Sequence, residues 1–308
     1  MRTITDCAIQ INNEQCRNRC IFCKTPEQDF VARDHDVLVK DMYSQAINLK
    51  RRGLLNVEIS GHDPIEYSHI AEFIAWLKKI GFRDITLATH GRNLSDKPLV
   101  EKLISSGLDC IRIPLYGSTA SVHDSVTCSE GSFSDTMAGL ENIRDSGIEI
   151  CIVTLVLKNN KDDLDGIAGI AEKFGAELNV LNTGISNDYV RKYILTYKEM
   201  KEILPGFYSH CRNILRNKFN FFDFPYCLFG SDGREIIFTD VPKMSDTYVV
   251  PEGFRTDDNH LPDYRKMAKM DFCKKCIYSY ICGGFREKHL LIFPKPDISI
   301  VPEDFMRN

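Results

Sequence analysis

Along the first two thirds of the chain, the apolar positions switch between two periods. Short runs rich in Ile, Val and Leu at residues 7–11, 56–60, 84–88, 109–116, 148–157 and 176–182 have the length and β-branched content of buried strands. Between them, residues 37–52, 66–80, 97–106, 132–146 and 161–174 repeat apolar side chains every three to four positions, as amphipathic helices do. Gly53, Gly81 and Gly107 supply stop signals after three of these helices. Ser132 offers an N-cap, with Asp135 three residues on.

Six strand-then-helix units imply a parallel sheet with right-handed crossovers. A closed eight-unit barrel needs about 250 residues. The expected fold class is therefore α/β, a partial, open (β/α)6 TIM-like barrel. The pattern then changes. Residues 197–217 read as a connecting helix interrupted at Pro205-Gly206, and residues 219–224 and 234–240 read as strands around the turn signal Ser231-Asp232-Gly233. A Pro- and Asp-rich stretch covers residues 250–262. A boundary near 215 divides the chain into the barrel, residues 1–215, and a small β-rich domain, residues 216–308.

Composition narrows the class. With 43% hydrophobic and 27% charged residues, the 308-residue chain is neither disordered nor fibrous. A net charge of −4 argues against a nucleic-acid partner. The longest apolar run, 151–157, falls short of the roughly 18 residues a membrane span needs. Without an apolar signal core the expected location is the reducing cytoplasm, where the twelve cysteines are thiols or metal ligands.

Cys16, Cys20 and Cys23 form a C-x3-C-x2-C pattern on the loop after the first strand. Three thiolates can hold three corners of an iron–sulfur cube and leave one iron open; zinc is the alternative. With Phe22 directly before its last cysteine, the loop resembles the signature of the radical S-adenosylmethionine (radical SAM) superfamily. The resemblance implies a [4Fe–4S] cluster whose open iron chelates the amino and carboxylate groups of SAM. It further implies reductive cleavage of SAM to a 5′-deoxyadenosyl radical, hydrogen abstraction from substrate, and a flavodoxin- or ferredoxin-type electron donor.

Other segments follow the same resemblance. Gly61-His62-Asp63-Pro64 stands where the family has a Gly-Gly-Glu-Pro-like loop that receives the SAM amino group. His62 departs from that pattern, and Asp63 is one methylene shorter than Glu. Thr89-His90-Gly91 resembles a Thr-Asn-Gly at the end of strand three. Arg112, Ser118 and Thr119, at and after strand four, are candidates for SAM contacts, with pairing to an acidic barrel residue the equal alternative for Arg112. His123-Asp124 reads as a local turn or cap rather than a metal dyad.

Cys273, Cys276 and Cys282 form C-x2-C-x5-C, followed by Gly283-Gly284. This resembles the auxiliary-cluster domains of radical SAM enzymes, called SPASM when they hold two clusters and twitch when they hold one. With Cys227 as fourth ligand and Cys211 as its competitor, one auxiliary [4Fe–4S] cluster is expected, with structural zinc as the alternative. Of the remaining cysteines, Cys110 and Cys151 read as buried apolar residues. Cys128, in the loop after strand four, is a candidate hydrogen-atom donor.

The cysteine loop starts at residue 16, which sets the expectation that no peptide-recognition domain precedes it. The expected substrate is a small polar metabolite of sugar, amino sugar or nucleotide type, undergoing oxidation, epimerisation or elimination. Modification of a peptide or protein is the alternative, and a non-catalytic iron–sulfur protein is the remote one.

Overall fold

The computed structural model describes residues 7–11, 16–23, 35–182, 188–234 and 267–302. Its frame is one parallel sheet whose strands follow chain order: β1 (Cys7–Ile11), β2 (Asn56–Gly61), β3 (Asp84–Ala88), β4 (Cys110–Pro114), β5 (Glu149–Val156), β6 (Glu177–Asn182) and β7 (Phe219–Phe222). The connections carry α1 (His35–Arg51), α2 (Ile70–Lys79), α3 (Lys97–Ser105), α4 (Ala120–Thr127), α5 (Ser132–Ile143), α6 (Leu164–Lys173) and α7 (Tyr197–Leu215). This is the expected open α/β barrel, widened by a seventh strand.

Period-two alternation gives the sheet two chemically different faces. Val57, Ile59, Ile85, Leu87, Ile111 and Ile113 are buried in one core with Phe73, Ile74 and Leu77 of α2 and Leu140 of α5. The opposite, inner face is polar, and its groups bond to one another. Arg112 on β4 pairs with Glu58 on β2. Asn179 Nδ2 donates to Cys151 Sγ at 3.0 Å, and Asn220 Nδ2 donates to Asn179 Oδ1 at 3.0 Å and to Glu177 Oε1 at 3.1 Å. Burial of such groups is tolerable because they satisfy each other.

Four expectations change. Residues 219–222 form β7, paired in parallel with β6, so the sheet runs past the boundary expected at 215. The reason is aromatic packing: Phe221 lies against Phe207, Tyr208 and Phe229. Residues 120–127, within the loop expected after strand four, form α4, with Thr119 as its N-cap. Ser132 is the first residue of α5 rather than its cap, and its hydroxyl donates to Asp124. Pro205 lies inside α7 without ending it; that helix starts with a capping box of Thr196 and Glu199.

At the C-terminal end a lobe of short pieces surrounds the second cysteine group: the antiparallel pair β8 (Met267–Ala268) and β9 (Phe285–Arg286), a 3-10 turn (Asp271–Lys275) and α8 (Glu287–Ile292). The strand expected at 234–240 and the 250–262 stretch lie outside the described residues. Among the described residues no helix is long and apolar enough to cross a membrane.

Candidate functional site

The ends of β1 to β4 and the loops after them bring the first predicted residues together. Residues 16–23 dock on α4: the Arg19 N–H donates to Thr127 O and the Ile21 N–H to Val126 O, both at 2.9 Å. Arg17 bonds Asn93, and Arg92 bonds both Asn18 and Asp135. Phe22 packs edge-on against Tyr116 at 5.1 Å between ring centroids. The three cysteines are therefore presented from a held loop. Burial, followed by a smaller effect of nearby Asp63, Cys23 and Glu66, pushes the Cys16 thiol up to about 11. Burial and the neighbouring thiols raise Cys20 further. Thiolates crowded this way need a cationic group among them, which is what an iron–sulfur cluster provides.

Beside this loop, the turn after β2 is forced close to the end of β1. Gly61 has φ +138°, and a Cβ there would lie 2.0 Å from the Ile11 carbonyl oxygen. Pro64 then opens a 3-10 turn, Pro64–Glu66, whose three-residue period sets Glu66 on the same side as Asp63. His90 reaches across from the end of β3. Its Nε2 is 2.5 Å from Asp63 Oδ2 and 3.9 Å from Glu66 Oε1, while its Nδ1 accepts the Arg92 N–H at 3.1 Å. Nδ1 is thus occupied as an acceptor, and Nε2 is the ring nitrogen that faces Asp63. Thr89 is buried, and its Oγ1 accepts the Gly91 N–H. The His62 N–H bonds Ile11 O.

The residues expected at strand four are committed locally. Arg112 takes the acidic-partner option with Glu58. Ser118 donates from both its N–H and its hydroxyl to Asp163, and Thr119 caps α4. The Asp124 carboxylate caps the start of α5 through Gly131, Ser132 and Phe133, and His123 Nδ1 accepts the Tyr116 N–H, so this dipeptide is the expected turn element. Cys128 is exposed at the end of α4 with φ 50° and lies close enough to influence Cys20.

Cys227, Cys273, Cys276 and Cys282 line one cavity with Lys269, Tyr278 and Phe285. Gly284, at φ +98°, allows its backbone to pass Ala268, where a Cβ would lie 2.3 Å from the carbonyl oxygen. Its N–H donates to Cys282 Sγ at 3.4 Å. Burial, then the other three thiols, pushes Cys227 up to about 12. Cys211 is buried in α7, where the acidic neighbour that raises it is Asp165 rather than these thiols. Among the described residues, Asp63, Glu66 and His90 bring three ligand atoms within 4.8 Å of one another.

Glu58 and Glu66 were missed in sequence. Each had a signal: an acid alone in an apolar strand, and an acid three residues after Asp63 in a Pro-started turn.

A sequence model described as the radical SAM superfamily matches residues 13–169. The GTP 3′,8-cyclase of Marinobacter nauticus is 25% identical over 49% of this chain and 45% of its own length. The AdoMet-dependent heme synthase of Methanosarcina barkeri is 30% identical over 38% of this chain and 33% of its own. The matched regions thus span a third to under half of these two curated relatives. Among solved structures, Streptococcus suis SuiB bound to S-adenosylmethionine aligns over 97% of this chain and 76% of its own at 16% identity and TM-score 0.64. The anSMEcpe structure with bound AdoMet and Cp18Cys peptide aligns over 98% and 93% at 15% identity and TM-score 0.60.

Proposed function

The chain belongs to the radical SAM superfamily, and from that premise we propose that it is an enzyme acting on a small polar metabolite of sugar, amino sugar or nucleotide type. In this reading Cys16, Cys20 and Cys23 would hold the [4Fe–4S] cluster, and the turn after β2 would receive SAM. When bound, cluster and SAM supply a 5′-deoxyadenosyl radical that takes a hydrogen atom from substrate. Asp63 offers its carboxylate to the SAM ammonium group, and His90 holds that carboxylate in place through Nε2. Thr89 and the backbone of Gly61 and His62 complete the wall. The hydrogen bonds of Arg19 and Ile21 to α4 keep the cysteine loop against it.

Cys227, Cys273, Cys276 and Cys282 hold one auxiliary cluster, with the Gly284 N–H supporting the Cys282 sulfur. Two oxygen-sensitive clusters suit a reducing cytoplasm and a flavodoxin- or ferredoxin-type donor.

The observation that carries the substrate reading is the polar inner face of the barrel. Glu58, Arg112, Cys151, Asn179 and Asn220 place polar groups on this face from five strands, the equipment for orienting a hydroxyl-rich molecule. The relative named as a GTP 3′,8-cyclase supports it. Modification of a peptide is the second reading, supported by the alignment with SuiB and peptide-bound anSMEcpe across nearly the whole chain. Deuterium transfer into 5′-deoxyadenosine separates them. Label arriving from deuterated sugars or nucleotides supports the first reading; label arriving only from peptides overturns it.

A further inference from the structure

Phe22, beside the last cysteine of the N-terminal loop, is shared between two small apolar clusters. On one side it packs against the group of Ile21, Tyr116, Val126 and Leu157. On the other it packs against Val190 and Ile194, both fully buried. Val190 belongs to a 3-10 turn, Asp188–Lys192, between β6 and α7. This turn is tied to the segment after β5: the Tyr193 N–H donates to Val190 O at 2.9 Å, and the Lys158 N–H donates to Tyr193 O at 2.7 Å. Ile292 and Phe293, at the end of α8, pack against the same pair, Val190 and Ile194. The cysteine loop and the C-terminal lobe therefore meet across two buried aliphatic side chains.

From this junction, ring contacts lead back to the second cysteine group. His289 of α8 is buried, with its ring 5.2 Å from that of Phe293 and 4.2 Å from that of Tyr197. Tyr197 lies edge-on to Phe285 at 4.9 Å, and its hydroxyl accepts the Arg286 N–H at 2.9 Å. Phe285 lines the cavity of Cys227, Cys273, Cys276 and Cys282. A helix of six residues, as α8 is, does not hold itself together. Its place depends on Tyr197 and on β9, which borders that cavity.

We propose that Ile292 and Phe293 are positioning residues for the SAM site: through Val190 and Ile194 they hold Phe22, and with it the loop of residues 16–23, in the conformation that accepts SAM. The proposal rests on the two-cluster reading above. Hydrogen bonds to α4 fix the loop backbone at Arg19 and Ile21. Beyond them the path to Cys23 runs through Phe22, so the packing of that ring sets where the last ligand sits. A void opened on its Val190 side removes contacts that close packing had supplied.

The test uses the full chain, reconstituted anaerobically, with iron content and the electron paramagnetic resonance signals of both clusters measured first. Phe293→Ala is expected to keep its iron and both signals, and to raise the SAM dissociation constant roughly tenfold. The shift that SAM produces in the signal of the Cys16, Cys20 and Cys23 cluster should then need correspondingly more SAM. Phe293→Leu keeps an apolar side chain at the junction and should recover most of the affinity. Leu291→Ala, on the same helix but 80% exposed, should change nothing. In a Phe22→Ala background, Phe293→Ala should add less than about a twofold further rise, because the contact it acts through is already gone. Unchanged SAM affinity in iron-replete Phe293→Ala would overturn the proposal, and so would a full tenfold rise in the Phe22→Ala background. If Phe293→Ala loses its iron, Val190→Ala thins the junction from the barrel side, and unchanged affinity there overturns the proposal equally. Wild-type protein that lacks either cluster signal or binds no SAM would fail earlier, at the two-cluster reading itself, and remove the positioning role with it.

Discussion

His90 Nε2 lies 2.5 Å from Asp63 Oδ2, joining two side chains that are 6% and 0% exposed and come from the loops after neighbouring strands. Asp63→Asn tests the proposed contact with the SAM ammonium group. Its SAM dissociation constant is expected to rise about tenfold or more, about 1.4 kcal/mol. His90→Gln keeps an N–H donor and should lose less. Equilibrium binding of SAM to the reconstituted protein measures both.

Iron content checks the division of the cysteines. The intact protein should carry about eight irons, four per cluster. Cys16→Ala/Cys20→Ala/Cys23→Ala should retain about four and form no 5′-deoxyadenosine from SAM. One zinc with four irons in the intact protein would instead refute the auxiliary cluster.

The fourth auxiliary ligand has two candidates with different surroundings. Cys227 shares a cavity with Cys273, Cys276 and Cys282, while Cys211, buried in α7, is not among that cavity's lining residues. Cys227→Ala is expected to lose the auxiliary cluster's paramagnetic signal and about four irons. Cys211→Ala should retain both and cost only the packing of a small buried side chain.

Acid should destabilise the protein through two buried histidines. Burial lowers His123 from 6.5 to about 4; burial, with Arg286 adding to it, does the same to His289. Because the folded values lie below the unfolded ones, the unfolded chain binds more protons between these limits. Stability is fully present above about pH 6.5 and is lost as pH falls toward 4, by about 1.4 kcal/mol per pH unit for each histidine. His289→Phe, beside Tyr197 and Phe293, should remove its share of that slope. Thermal unfolding midpoints between pH 7 and 5 provide the check.

The strand and helix periods, the glycine stops and the spacing of Cys16, Cys20 and Cys23 are local properties, and the sequence alone determined the barrel class and the cysteine loop from them. The Cys273, Cys276 and Cys282 spacing was legible for the same reason. Pairing and approach are not local. Residues 219–222 show a strand period whether they join β6 or not, and only the packing of Phe221 against α7 placed them in the sheet. The same holds for Arg112, whose position named two possible partners until the fold set Glu58 across from it. His90 and Asp63 are far apart in sequence and meet because β2 and β3 are hydrogen-bonded neighbours. Sequence period reports what a segment can become. Which side chains then share a site depends on crossovers, strand order and close packing, and these exist only once the chain has folded.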